Sequence, residues 1–264
     1  SEKYKLPDPK GTRDLFVANV DDGILKTAFK AVLSLQIRGN QGMHQLTLAT
    51  CAIALNTDPL TTQWLDWLFA PDGGAITELM INRFDRDGTS DEGAPGYAFI
   101  WGRQVSTLAA LLRDYPAYTN HNIFRDFPQF KNAYTVAYRM AALGKAIPNI
   151  GDAGSTGLVN MQAADPGFMA TGYLYTRDPA IAVAAYRANG YSAKGLGLDI
   201  FSKDPEAVNR EIQQIGESAG PRPAAGYLMS GFGLALLESG NGASGIAIAN
   251  NYGRTKMHAH RDLL

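Results

Sequence analysis

Apolar side chains at Ile24, Leu25, Ala28, Phe29, Val32, Leu33 and Leu35 recur at helical spacing through residues 21–36, which predicts one amphipathic helix. Leu46, Ala49, Thr50, Ile53 and Ala54 form a second such face, broken at 56–59, and a third helix is expected to begin within 64–69. Residues 96–112 read as a long helix stopped before Tyr115-Pro116. Residues 128–143 read as the next, stopped at Gly144, and 179–188 as a shorter one with proline in its first turn and Gly190 beyond its end. The polar stretch 205–216 fits either a solvated helix or an irregular connection.

The pattern changes after Pro221-Arg222-Pro223. Residues 227–238 and 244–250 are short apolar runs separated by Ser239-Gly240-Asn241-Gly242, a turn signal that predicts a hairpin. The expected organisation is a helical domain over 1–223 and the beginning of a β domain over 224–264. Helix pairs joined by glycine-rich segments suit an array whose neighbours bury one another. Two or three strands cannot bury both faces of a sheet, so either the β domain is expected to continue beyond residue 264 or the strands form a small sheet packed against the helices.

Composition narrows the function classes. The 264 residues carry 24 basic and 25 acidic side chains, a net charge of -1 that gives no electrostatic case for nucleic acid. Cys51 is the single cysteine, which excludes an intrachain disulfide, and its place on an apolar helix face predicts burial. The longest nearly apolar stretch, 224–237, is interrupted by glycines and falls short of the roughly 20 residues a membrane helix needs, so no membrane-spanning segment is expected. The start, 1–10, is polar and has no apolar signal segment, which is consistent with a mature or trimmed secreted chain. The sequence assigns no oligomeric state. It contains no phosphate-binding Walker segment, no dinucleotide-binding glycine fingerprint, no zincin helix and no serine-hydrolase elbow.

Three polar clusters carry candidate chemistry. His258 and His260, two of the four histidines, would face one side of a strand, where they suit a wet cleft, a metal or simply an exposed polar loop. Residues 87–97, Asp-Gly-Thr-Ser-Asp-Glu-Gly-Ala-Pro-Gly-Tyr, run into the long helix. Tyr97 there is either a proton-transfer group or a hydrogen-bonded core residue, and Glu92 either a site residue or a helix-start residue. A phenol ionises at about pH 10 in water, so catalysis by Tyr97 calls for a neighbouring cation such as Arg103 or an imidazolium. Asn40 and Gln41 offer directional amide donors and His44 a titratable ring at the junction of the first two helices, which also reads as a plain polar connection. Asp152, in the 148–154 loop, could orient another side chain. Trp64, Trp67 and Trp101 could stack on sugar rings, but their helical positions suit core packing.

Taken together, the 40–44 junction, residues 87–97, residues 148–152, and Tyr252-Gly253-Arg254 followed by His258-Ala259-His260-Arg261-Asp262-Leu263-Leu264 resemble the heparinase II/III-like polysaccharide lyases, whose relatives include enzymes acting on alginate. The resemblance implies a mainly α chain, an incomplete α/α toroid followed by the first strands of a truncated β-sandwich. It also implies β-elimination on a uronic-acid polysaccharide or oligosaccharide as the anionic partner. It assigns Tyr97, His258 and Asn40 to catalysis, and Gln41, His44, Glu92, Arg103 and Arg254 to substrate binding. His260 would match a ligand of a structural zinc whose other ligands come later in the β domain, and the protein would be periplasmic or secreted. Two rival readings are a glycoside hydrolase using carboxylates among Asp87, Asp91, Glu92 and Asp152, and a catalytically inactive anionic-glycan-binding protein.

Overall fold

The computed structural model describes residues 11–37, 39–40, 42–151, 165–197, 203–240 and 242–253. They are mainly helical, with a three-stranded antiparallel sheet near the C-terminal end. The chain forms two compact units, one built from 1–79 and 107–122, the other from 80–106 and 123–264.

In the first unit, α1 (Arg13–Val20) is capped by the Thr12 hydroxyl, which accepts the Leu15 N–H. It runs through a π-helical turn (Asp21–Leu25) into α2 (Lys26–Leu33). The single helix expected over 21–36 thus starts earlier, contains a π-turn and ends three residues sooner. α3 (Met43–Leu55) and α4 (Leu60–Phe69) pack against each other, and α5 (Ile76–Glu78) is one short turn. α4 starts at Leu60, ahead of the expected 64–69, because Thr61 anchors the turn: its hydroxyl donates to the Ala52 carbonyl and accepts the Thr57 N–H. Leu48, Ala49, Ala52, Leu65 and Leu68 form the buried centre, and Cys51 is buried as expected. The Phe29 ring stacks on Trp64 with centroids 4.1 Å apart. Buried Gln45 is satisfied at both ends, accepting the Gly42 N–H and donating to the Gly74 carbonyl.

α6 (Pro95–Arg113) matches the long helix read from the pattern; its residues to 106 belong to the second unit. After α7 (Ile123–Asp126), the helix expected over 128–143 is instead a 3₁₀ turn (Pro128–Tyr134) and a separate short α8 (Val136–Met140). Thr135, at φ -115°, divides them. Here packing overrides the apolar period: the Tyr134 hydroxyl bonds Ser106 on α6 at 2.7 Å, and a Cβ on Gly172 would lie 2.3 Å from the Tyr134 ring.

α9 (Pro166–Thr176), α10 (Pro179–Ala188) and α11 (Ala207–Ala219) form a three-helix layer. α9 was not read from the sequence, and α11 resolves the ambiguous 205–216 stretch as helix. Asp165 and Asp178 cap α9 and α10, each followed by proline at the first helical position. α11 approaches α10 so closely that a Cβ on Gly216 would lie 2.1 Å from the Tyr186 ring.

The strands β1 (Tyr227–Met229), β2 (Leu234–Ser239) and β3 (Ile246–Asn251) form a meander in that order. The hairpin expected at 239–242 joins β2 to β3, and the apolar run 227–238 is two strands divided by a turn at 230–233. On the inner face Met229, Leu234 and the turn residue Phe232 join Ala98, Val136, Met140, Ile147 and Ile150 in one core. On the outer face lie Leu228, Leu237, Ile246 and Ile248, all more than 60% exposed.

Candidate active site

Residues 83–94 fold as a tight loop in front of α6. Phe84 and Ser90 form an isolated antiparallel bridge, Asp85 donates its N–H to the Thr89 carbonyl at 2.6 Å, and the Gly88 N–H closes a turn on the Asp85 carbonyl. Gly88 sits at φ +98°, and a Cβ there would come within 2.3 Å of the Asn132 backbone, so only glycine fits. The Asn132 side chain donates to the Arg86 carbonyl and holds the loop on the 3₁₀ turn.

Polar side chains inside the loop are buried and engaged. Asp91 accepts the Arg83 Nε at 2.9 Å, and that guanidinium lies over the Trp101 ring. The Thr89 hydroxyl donates to Asp85. Asp87 Oδ2 accepts the Gly231 and Phe232 N–H groups at 2.5 and 3.2 Å, while its backbone carbonyl accepts the Arg139 guanidinium. Two of the four carboxylates considered for hydrolysis, Asp87 and Asp91, therefore already hold internal donors. Asp152 lies outside the described residues, and Glu92, half-buried, receives its place from a backbone contact to the Ser90 hydroxyl.

Tyr97 is half-buried in the first turn of α6, next to fully buried Ala98, whose carbonyl accepts the Ser90 N–H. Loop and helix turn are thereby one piece. Arg103 stands two turns along α6 with about half of its side chain exposed (52%). It bonds Asp165 Oδ2 at 2.8 Å and lies over the Phe168 ring. Burial alone would raise the Asp165 carboxyl; the Phe168 N–H, Arg103 and the Gly167 N–H together hold it below its usual range. Asp165 is a residue the sequence reading missed, although Pro166 behind it repeats the first-turn proline that marked α10.

In the first unit, Asn40 is exposed and its carbonyl accepts the Met43 N–H at the start of α3. His44 is half-buried. Burial pushes its imidazole below its usual range, and backbone hydrogen bonding at Asn40 and Gly39 opposes that only in part. It therefore presents a neutral ring near neutral pH, in place of the charge considered for it. Gln41, Arg254, His258 and His260 lie outside the described residues. Trp64 and Trp101 are buried and Trp67 half-buried, as core packing requires.

Among the described residues no three His, Cys, Asp or Glu side chains converge to hold a metal, and no helix is long and apolar enough to cross a membrane. No family model matches the chain, and neither the search of curated proteins nor that of solved structures returned a match.

Proposed function

We propose that the protein is a heparinase II/III-like polysaccharide lyase that cleaves a uronic-acid glycan by β-elimination, on an incomplete α/α toroid followed by the first strands of a β-sandwich. The observation that carries this reading is the placement of Tyr97. It stands half-buried on a rigid helix turn, in the same compact unit as the sheet whose last described residues, Tyr252 and Gly253, lead into the Arg254 and His258 segment. The apolar outer face of that sheet supports the sandwich, because a second layer would cover it.

A carbon-bound C5 proton is too weakly acidic to leave unless the adjacent carboxylate is held so that the developing enediolate is stabilised. The resemblance to the lyases gives that role to the neutral amide donors of Asn40 or Gln41. Tyr97 as phenolate removes the C5 proton on the syn path and returns a proton to the departing O4 as the C4–O bond breaks, with His258 as supporting donor or as base on the anti path. Electrons from the C5–H bond become the C4–C5 double bond, and no water enters the product.

The test is a screen of heparin-like and alginate-like polysaccharides, reading ultraviolet absorbance of the unsaturated uronate and product mass. Tyr97→Phe should keep the fold and lower turnover by about 10²- to 10⁴-fold. Undiminished turnover in that variant removes Tyr97 from the mechanism. A product heavier by one water identifies a hydrolase, and binding without turnover in a protein that carries the complete β domain favours a glycan-binding protein.

A further inference from the structure

We infer that Asp87 is a positioning residue: its carboxylate locks the β1–β2 turn to the loop that ends in the Tyr97 helix turn, and so sets where the chain leaves the sheet after β3. The kinetic part of this inference rests on the lyase reading; the mechanical part does not.

The connection can be followed atom by atom. The carbonyl of Ala98, the residue after Tyr97, accepts the Ser90 N–H, and Ser90 pairs with Phe84 across the loop whose tip carries Asp87. From that tip Asp87 Oδ2 takes the N–H groups of Gly231 and Phe232, 144 and 145 residues away in sequence. Beside it Arg86 donates to the Ser230 hydroxyl at 2.6 Å. The same turn then grips the end of β3. The Gly233 carbonyl accepts the Tyr252 N–H at 2.9 Å, and Gly253 passes so close that a Cβ on it would lie 2.2 Å from the Phe232 carbonyl oxygen.

Phe232 thus has its N–H on Asp87 and its carbonyl against Gly253, so a single residue separates the carboxylate from the exit of the sheet. A purely local turn anchor would need neither the second contact nor the tie to α6. Asp87 is itself only 8% exposed, and the loop beneath it is fixed by Gly88, which tolerates no side chain. Little slack remains between the Tyr97 turn and Gly253.

The experiment compares Asp87→Ala and Asp87→Asn in the full chain, with steady-state kinetics and amide hydrogen exchange. Asp87→Ala removes the acceptor and should lower kcat by about 10²-fold with KM little changed, as a displaced reacting group does. Exchange should quicken at Gly231 and Phe232, and also at Tyr252 and Ala98. Asp87→Asn keeps one acceptor oxygen without the charge, so kcat should fall by about 3- to 10-fold, well short of the loss in Asp87→Ala. Wild-type kcat in Asp87→Ala, or loosening confined to Gly231 and Phe232, overturns the inference. If Asp87→Ala does not fold, Asp87→Asn decides: a lowered kcat with faster exchange at Tyr252 supports it, and unchanged values overturn it. If the wild-type protein turns over no uronate glycan, the lyase reading fails alone, and the spread of exchange to Tyr252 and Ala98 still decides the mechanical claim.

Discussion

His44 shows how the fold sets a charge state at a single residue. Burial at the start of α3 lowers its affinity for protons below the ordinary value of 6.5, so the unfolded chain binds the proton more tightly than the folded one. Stability from this source is complete above that ordinary value. It is lost as pH falls through it, and the loss levels off below the folded pKa. Urea unfolding at about pH 7.5 and about pH 5.5 should therefore show a smaller loss of stability on acidification in His44→Gln than in the wild type. Equal losses would mean that the ring is hydrated in the folded protein.

Among the elements, β2 is held to the segment before β1 by one buried ion pair. Arg222 meets Glu238 through both guanidinium nitrogens, at 2.7 and 3.0 Å, with side chains 11% and 0% exposed. Burial opposes ionisation of both groups. Their mutual pairing, with the Leu143 N–H on Glu238, overcomes it, so the glutamate lies below and the arginine above its usual range. Removing one partner strands the other, and Glu238→Ala should cost about 3–5 kcal/mol in denaturant unfolding. Arg222→Met with Glu238→Leu should restore most of it; a double variant no better than the single would place the cost in the lost Leu143 contact.

This pair was not legible in the sequence, where Glu238 looked like the polar end of an apolar run and Arg222 one residue of a Pro-Arg-Pro break. The elements with local signals were legible. α10 follows from its first-turn proline and the glycine beyond its end, α6 from its length, and the β2–β3 hairpin from its glycines. The failures share a cause. The period through 128–143 could not reveal that Tyr134 must turn to meet Ser106, nor the identity of Asp87 that its acceptor serves Gly231. Of the site, Tyr97 and its loop could be marked from residue types alone, while the partners that fix them lie too far along the chain to be read.

For the molecule as a whole, the sheet poses the sharpest question. An antiparallel sheet with one face on a core and the other in water alternates apolar and polar residues. Here the face turned away from the helices carries Leu228 on β1, Leu237 on β2, and Ile246 and Ile248 on β3, with Leu237 and Ile248 directly opposite each other. Burying such a side chain is worth about 1.5–3 kcal/mol, so four of them make a strong drive toward a covering layer. In the β-sandwich reading that layer is a second sheet. Leu237→Lys with Ile248→Lys would then set two charges inside the interface and lower unfolding stability by several kcal/mol, roughly the burial lost at two sites. On a face that stays in water, exposed substitutions change stability by only about 0.5 kcal/mol. Urea unfolding of the double variant, beside a control with lysine at the exposed α11 position Gln214, separates the two. In a protein that carries the strands of a second sheet, a variant as stable as its control places the face in solvent and removes the sandwich from the proposal, while leaving the tie between Tyr97, Asp87 and Gly253 to stand on its own test.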